Sequence, residues 1–270
     1  MNYLFPLTIG LAGMVLFAGC GGKTPVIAHR GASYLAPENT VAAAKLAWEL
    51  DSDAVEVDIY LTTDDRIVVI HDGSTKRTAG IDLTVSASSS EDLRKLDVGS
   101  FKDASFAGEK IPFLEEIFAT VPDEKELFVE IKCGQEVIPH LARMVESSAI
   151  KSCVSIISFD FDTIVETKRV MPDIRCYWLA SSKKDDSTGA YLPYNTNIID
   201  RVAEVGLDGL DLHFGGITKA FVDDVHAQHM KCFAWTVDDP DEFRRLVALG
   251  IDGITTNRPA WIREQVASAK

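Results

Sequence analysis

A chain of 270 residues, 46% apolar and 25% charged, can bury one large core, so disorder is not its default state. Its net charge of −14 argues against nucleic acid as a partner and against docking on anionic lipid heads. It also requires that an anionic substrate be met by a local patch of positive charge.

Residues 1–19 carry no Asp, Glu, Lys or Arg and are rich in Leu, Phe, Gly and Ala. The run ends Phe17-Ala18-Gly19-Cys20, which resembles a bacterial lipoprotein signal with Cys20 as the lipidated N-terminus after cleavage. The alternatives are a plain cleaved signal or an N-terminal membrane anchor. All three readings put the remainder, 21–270, outside the cytoplasm in the cell envelope, and the lipid anchor is the expected contact with a membrane.

Eight strand-like apolar runs follow: Val26–His29, Ala54–Ile59, Leu127–Lys132, Val154–Ser158, Ile174–Leu179, Gly209–His213, Lys231–Thr236 and Gly253–Thr256. Between most of them lie stretches of helical periodicity: Thr40–Leu50, Glu136–Ser147, Asp160–Met171, Asn197–Glu204, Lys219–Gln228 and Pro240–Leu249. Alternation of this kind predicts an α/β chain, and eight strands are what a closed (β/α)8 TIM barrel needs. No break in composition divides the chain, so one domain is expected.

Arg66–His71 is a ninth strand-like run. The linker Thr62-Thr63-Asp64-Asp65 is too short for a parallel crossover, which takes about a dozen residues. The run should therefore fold back as a hairpin on the second strand, with Asp58 opposite Ile70 or His71. That register returns His71 to the level of Glu56 and Asp58. Residues 73–112 then form a polar insertion, read as a small surface subdomain or lid, before a helix at Phe113–Thr120.

The ionisable residues cluster at the ends of these runs, where a barrel builds its site. Glu56 and Asp58 stand at i and i+2 on one strand and share a face. Glu130 and Lys132 repeat the spacing on the next barrel strand. Carboxylates facing a barrel interior repel each other and lose hydration unless a cation or basic group neutralises them. One divalent cation on Glu56, Asp58 and Glu130 resolves this, and oxygen-only ligands select Ca²⁺ or Mg²⁺ over Zn²⁺. The alternative is salt bridging by Lys132 and Arg30. His29 ends the first strand and His71 the hairpin. Together they suit proton transfer near neutral pH, one deprotonating a nucleophile and the other protonating an alkoxide. Arg30 and Lys132 suit phosphate oxygens. Trp235 ends the seventh strand, either as a contact for a small glycerol-like group or as packing at the barrel top. The set suggests metal-assisted cleavage of a phosphate ester. Cys133, Cys153, Cys176 and Cys232 show no metal spacing and read as buried thiols, with a Cys153–Cys176 bridge as a possible pairing.

With these residues in place, the chain closely resembles the glycerophosphodiester phosphodiesterase family. The resemblance rests on His29-Arg30-Gly31 with Pro37-Glu38-Asn39-Thr40, Val55-Glu56-Val57-Asp58, Ile70-His71-Asp72, Arg77-Thr78, Ile111-Pro112 with Leu114-Glu115-Glu116, Val129-Glu130-Ile131-Lys132, Ser158-Phe159-Asp160, Ala234-Trp235-Thr236-Val237 and Asp252-Gly253-Ile254-Thr255. It runs from about residue 26 to residue 264. It implies a (β/α)8 barrel with an insertion after the His-Asp strand, a divalent metal on Glu56, Asp58 and Glu130, and an acid/base pair at His29 and His71. It places Arg30 and Lys132 on the phosphate of a small glycerophosphodiester, cleaved to glycerol 3-phosphate and an alcohol. Rival readings are a phospholipase of the same barrel type, and a lipoprotein that binds phosphodiesters without cleaving them. Asn257 stands where the family usually has Asp, and Ala79-Gly80 where a second Thr is common. Asn257 is expected at the rim but outside the catalytic set.

Overall fold

The computed structural model describes residues 23–267; the expected lipidation site at Cys20 lies outside them. Nine strands form: β1 (Val26–His29), β2 (Ala54–Leu61), β3 (Ile67–Val69), β4 (Glu126–Ile131), β5 (Val154–Ser158), β6 (Arg175–Ala180), β7 (Gly209–His213), β8 (Lys231–Trp235) and β9 (Gly253–Thr256). Every neighbouring pair except β2–β3 is parallel, and pairing of β1 with both β2 and β9 closes an eight-stranded barrel. This is the (β/α)8 fold that the alternation of runs implies.

The hairpin is explained by a difference in strand length. β1 pairs with β2 only over Ala54–Glu56, whereas β2 runs on to Leu61. The edge left bare by the short β1 is taken by antiparallel β3, with Ile59 opposite Val69 and the Ile70 amide donating to the Asp58 carbonyl at 3.0 Å. Covering the edge satisfies backbone groups that would otherwise be open, and it carries His71 to the rim.

The helices are α1 (Val41–Glu49), α2 (Lys76–Ala79), α3 (Ser90–Lys95), α4 (Leu114–Phe118), α5 (Ile138–Glu146), α6 (Phe161–Val170), α7 (Asn197–Glu204), α8 (Lys219–Ala227), α9 (Pro240–Leu249) and α10 (Pro259–Ala267). Several open on the capping residues that the sequence supplies. The side chains of Thr40, Asp160, Thr218 and Asp239 accept from backbone N–H groups in the first turns of α1, α6, α8 and α9.

Three apolar layers organise the core. The outward faces of the strands pack under the helices, through residues such as Val55, Val57, Val129 and Ile156. Inside the barrel, Ile27, Phe128, Ile157, Tyr177, Leu179 and Phe233 fill the centre. The Phe233 ring meets Phe128 at 5.3 Å and Tyr177 at 4.9 Å, both edge-on, so the interior is a packed plug and the rim above it is a floor for chemistry. The insertion has its own small core: Val85, Leu93, Leu96, Val98 and Ile111 pack on Val68 and Ile70 of the hairpin.

Cys153 and Cys176 are not joined; both are free thiols. The β5–β6 register puts Ile156, not Cys153, opposite Cys176. Three residues of offset is about 10 Å along a strand, beyond the Cα separation of about 7 Å that a disulfide tolerates.

Candidate active site

Glu56 and Asp58 project from one face of β2, and parallel pairing sets Glu130 of β4 directly beside Asp58. One oxygen from each of the three carboxylates lies within 4.8 Å of the others. Burial, reinforced by Asp58, pushes Glu130 up to about 7 even though Lys132 pulls the other way. Burial and the two neighbouring carboxylates also hold Glu56 well above the usual range. The expected salt bridges are present: Lys132 Nζ is 2.8 Å from Glu130 Oε1 and 3.6 Å from Asp58 Oδ1, and Arg30 Nε is 3.4 Å from Asp58 Oδ2. They do not satisfy the cluster. Glu56 Oε1 and Asp58 Oδ1 are sealed from solvent with no hydrogen-bond partner. Buried charged oxygens without partners are costly, and a site made only of oxygens fits a hard divalent cation.

His29 ends β1 with Nε2 4.0 Å from Glu56 Oε2. Burial, then the charge of Arg30, pushes it down to about 4, so it is neutral around pH 7. His71 follows β3; its Nδ1 is 2.6 Å from Asp72 Oδ1, and its Nε2 lies 3.3 Å from Lys132 Nζ. All the residues singled out from the sequence thus meet at one place, except Cys20, which is not described. A cavity of about 190 Å³ is lined by both histidines, Arg30, Glu56, Glu130, Lys132 and Trp235. Asp58 lies beneath it, with no exposed surface.

Asn257 lies at the rim as expected, and it touches the site directly: its Oδ1 is 2.8 Å from His29 Nδ1. Closure of β9 on β1 brings the residue after β9 beside the end of β1.

Further residues join the site without having been assigned a role. Asn39 is buried and clamps Asp58 from two sides: its Nδ2 donates to Asp58 Oδ2 at 2.7 Å, and its Oδ1 accepts from the Asp58 backbone N–H at 3.1 Å. Glu38 accepts from Arg30 and, through both oxygens, from Arg77 of the insertion. These two cations, against the opposing effect of burial, hold Glu38 down at about 2. Arg77 also donates to Asp72, which backs His71. Asp211 of β7 lines the cavity fully buried, Oδ1 without a partner, and burial raises its carboxyl well above the usual range. Phe159 stands over Lys132 at 5.8 Å and edge-on to Trp235 at 5.3 Å. The quoted segments Pro37-Glu38-Asn39-Thr40, Arg77-Thr78 and Ser158-Phe159-Asp160 held four of these residues; Asp211 had only its place on an apolar strand.

The backbone is strained at the same spot. Arg30 and Asn39 both have left-handed φ, 55° and 57°, which non-glycine residues rarely adopt. Gly31, at φ 77°, lets this turn pass α1: a Cβ there would sit 2.6 Å from the Ala43 backbone. His213, also at the rim, is engaged by Ser182 Oγ at 2.6 Å and packs against Trp235 and Tyr191. A larger cleft, about 470 Å³, lies between α5 and α6 at the opposite end of the barrel, away from the carboxylates and both histidines.

Residues 29–261 match the family model described as the glycerophosphoryl diester phosphodiesterase family. A glycerophosphodiester phosphodiesterase of Caldanaerobacter subterraneus subsp. tengcongensis is 33% identical over 244 residues, covering 88% of this chain and 95% of its own. Among solved structures, an Oleispira antarctica phosphodiesterase in complex with the product sn-glycerol-3-phosphate superposes with a TM-score of 0.80 at 26% identity, over 90% of this chain and 96% of its own. A glycerophosphodiester phosphodiesterase of Thermotoga maritima gives 0.72 at 25% identity, over 90% and 98%.

Proposed function

The chain belongs to the glycerophosphoryl diester phosphodiesterase family, and from that premise we propose that it hydrolyses small glycerophosphodiesters to sn-glycerol 3-phosphate and an alcohol. The observation that carries this reading is the convergence on one cavity of two histidines, two cationic side chains and an oxygen cluster holding two buried oxygens without a hydrogen bond. Glu56, Asp58 and Glu130 would hold one divalent cation, Ca²⁺ or Mg²⁺. Such a cation polarises phosphoryl oxygens and neutralises charge that builds on them.

The remaining chemistry falls to side chains. Arg30 and Lys132 offer N–H donors to phosphate oxygens across the cavity. One histidine takes the proton of the attacking oxygen, of water or of the substrate's own glycerol, as that oxygen bonds to phosphorus; where the glycerol attacks, water then opens the cyclic phosphate to sn-glycerol 3-phosphate. The other gives a proton to the departing alkoxide as the second P–O bond breaks, a step such a poor leaving group needs. Trp235 and Phe159 supply an apolar wall for the glycerol carbons. For placement in the cell, Ala18-Gly19-Cys20 supports a lipidated N-terminus and an envelope location.

The test is release of glycerol 3-phosphate from glycerophosphocholine by the full chain with Ca²⁺, with Mg²⁺ and with chelator. Release that needs a cation is expected. No release with either cation from folded protein would overturn the reading.

A further inference from the structure

The two histidines do not have equivalent partners. His71 Nδ1 faces the carboxylate of Asp72 at 2.6 Å, whereas His29 Nδ1 faces the side-chain amide of Asn257 at 2.8 Å. An amide can present either end, so what matters is how Asn257 is held. Its Nδ2 donates to Asp238 Oδ2 at 2.6 Å, and its backbone N–H donates to Asp238 Oδ1 at 2.9 Å. Asp238 Oδ1 also accepts from Thr256 Oγ1 at 2.8 Å. An ionised carboxylate only accepts, so the NH₂ end of Asn257 must face Asp238 and the carbonyl end must face His29. Ser33 Oγ, a donor to the same Asn257 Oδ1 at 3.1 Å, is compatible with that orientation. A carbonyl oxygen cannot donate, so His29 Nδ1 must carry the hydrogen, and Nε2 is left with its lone pair at the cavity.

We propose that Asn257, oriented by Asp238, is a positioning residue that locks His29 in the Nδ1–H tautomer, so that Nε2 is the proton acceptor of the reaction. This rests on the acid/base reading above and assigns its two roles. His29 takes the proton of the attacking hydroxyl. With His29 taking that proton, His71 is the second histidine on the cavity and protonates the leaving alkoxide. The proton lost by His71 and the one gained by His29 are exchanged with solvent after product leaves.

The experiment pairs tautomer with leaving group. In the full chain with cation, His29 is read by ¹⁵N NMR, its signals assigned by loss in His29→Gln. Asn257→Leu is expected to lose the fixed Nδ1–H signature and to lower kcat about 10²-fold, the scale of general-base catalysis, with KM changed less than about twofold. The double variant Asn257→Asp with Asp238→Asn exchanges carboxylate and amide but keeps an acceptor on His29; it should restore both the tautomer and most of kcat. Replacing the choline by p-nitrophenol removes the need for an acid. His71→Ala should then recover, while His29→Ala and Asn257→Leu should not. An unchanged tautomer in Asn257→Leu, or recovery of His29→Ala instead of His71→Ala, overturns the inference. Full activity on glycerophosphocholine in both histidine variants would instead overturn the acid/base reading itself. If Asn257→Leu does not fold, Asp238→Asn alone, which frees the amide to flip, takes its place with the same NMR readout.

Discussion

At the scale of single residues, the site is a charge problem left half solved by the protein. Three carboxylates face two cations, and Arg30 is shared with Glu38. The consequence is written on Glu130, raised to about 7 from an ordinary 4.5. The sign is fixed by that direction. Below about pH 7 the cation-free cluster holds an extra proton, and a cation must displace it. Cation affinity should therefore fall as pH falls through 7, by about tenfold for each unit below it when one proton is displaced. Between pH 8 and pH 6 the loss should be about tenfold. Competition against a chelating dye at the two pH values measures it. Equal affinities would mean that no proton leaves when the cation enters. Residue identity was readable in the sequence for this cluster, because i, i+2 spacing on a strand fixes a shared face. Asn257 was not, because 228 residues separate it from His29 and only the β9–β1 register joins them.

At the scale of elements, the strands were legible and the insertion was not. Val26–His29, Val154–Ser158, Gly209–His213 and Gly253–Thr256 form with the boundaries their apolar runs mark. Even the hairpin register follows from the length of its linker. By contrast α2 and α3 span four and six residues, too short for a period of 3.6 to show. Yet α2 carries Arg77, which reaches out of the insertion to both Glu38 and Asp72. Glu38 in turn holds Arg30, and Asp72 holds His71. One cation thus ties the insertion to the phosphate-facing arginine and to a histidine. Arg77 is partly exposed, so its ion pairs add at most about 1 kcal/mol to stability. Arg77→Ala should accordingly shift the urea midpoint little while lowering kcat several-fold. A kcat equal to that of the parent chain would show that α2 is mere cover.

At the scale of the whole molecule, the barrel has a direction. The parallel strands all point their C-terminal ends at the rim that holds the cavity, and Val26 starts β1 at the other end. If Cys20 carries lipid, the five residues 21–25 join it to Val26, a tether of about 20 Å at full stretch. Eight residues of β2 alone, Ala54–Leu61, span about 26 Å. The tether is therefore shorter than that strand, and it attaches at the face opposite the chemistry. Swinging the rim down to its own membrane would require the chain to round the helix layer, which the tether cannot do. The net charge of −14 adds no pull toward anionic headgroups. The anchored enzyme should then take diesters from water and leave bilayer lipids alone. The measurement sets the lipidated chain in phosphatidylcholine vesicles and follows phosphate-ester products from the vesicle lipid and from added glycerophosphocholine. Turnover of the soluble diester should exceed that of the bilayer lipid by at least about 10²-fold, the factor that denying near-attack geometry to one substrate costs. Comparable rates would mean that the rim reaches the membrane, and that the tether is longer or the attachment elsewhere than Cys20.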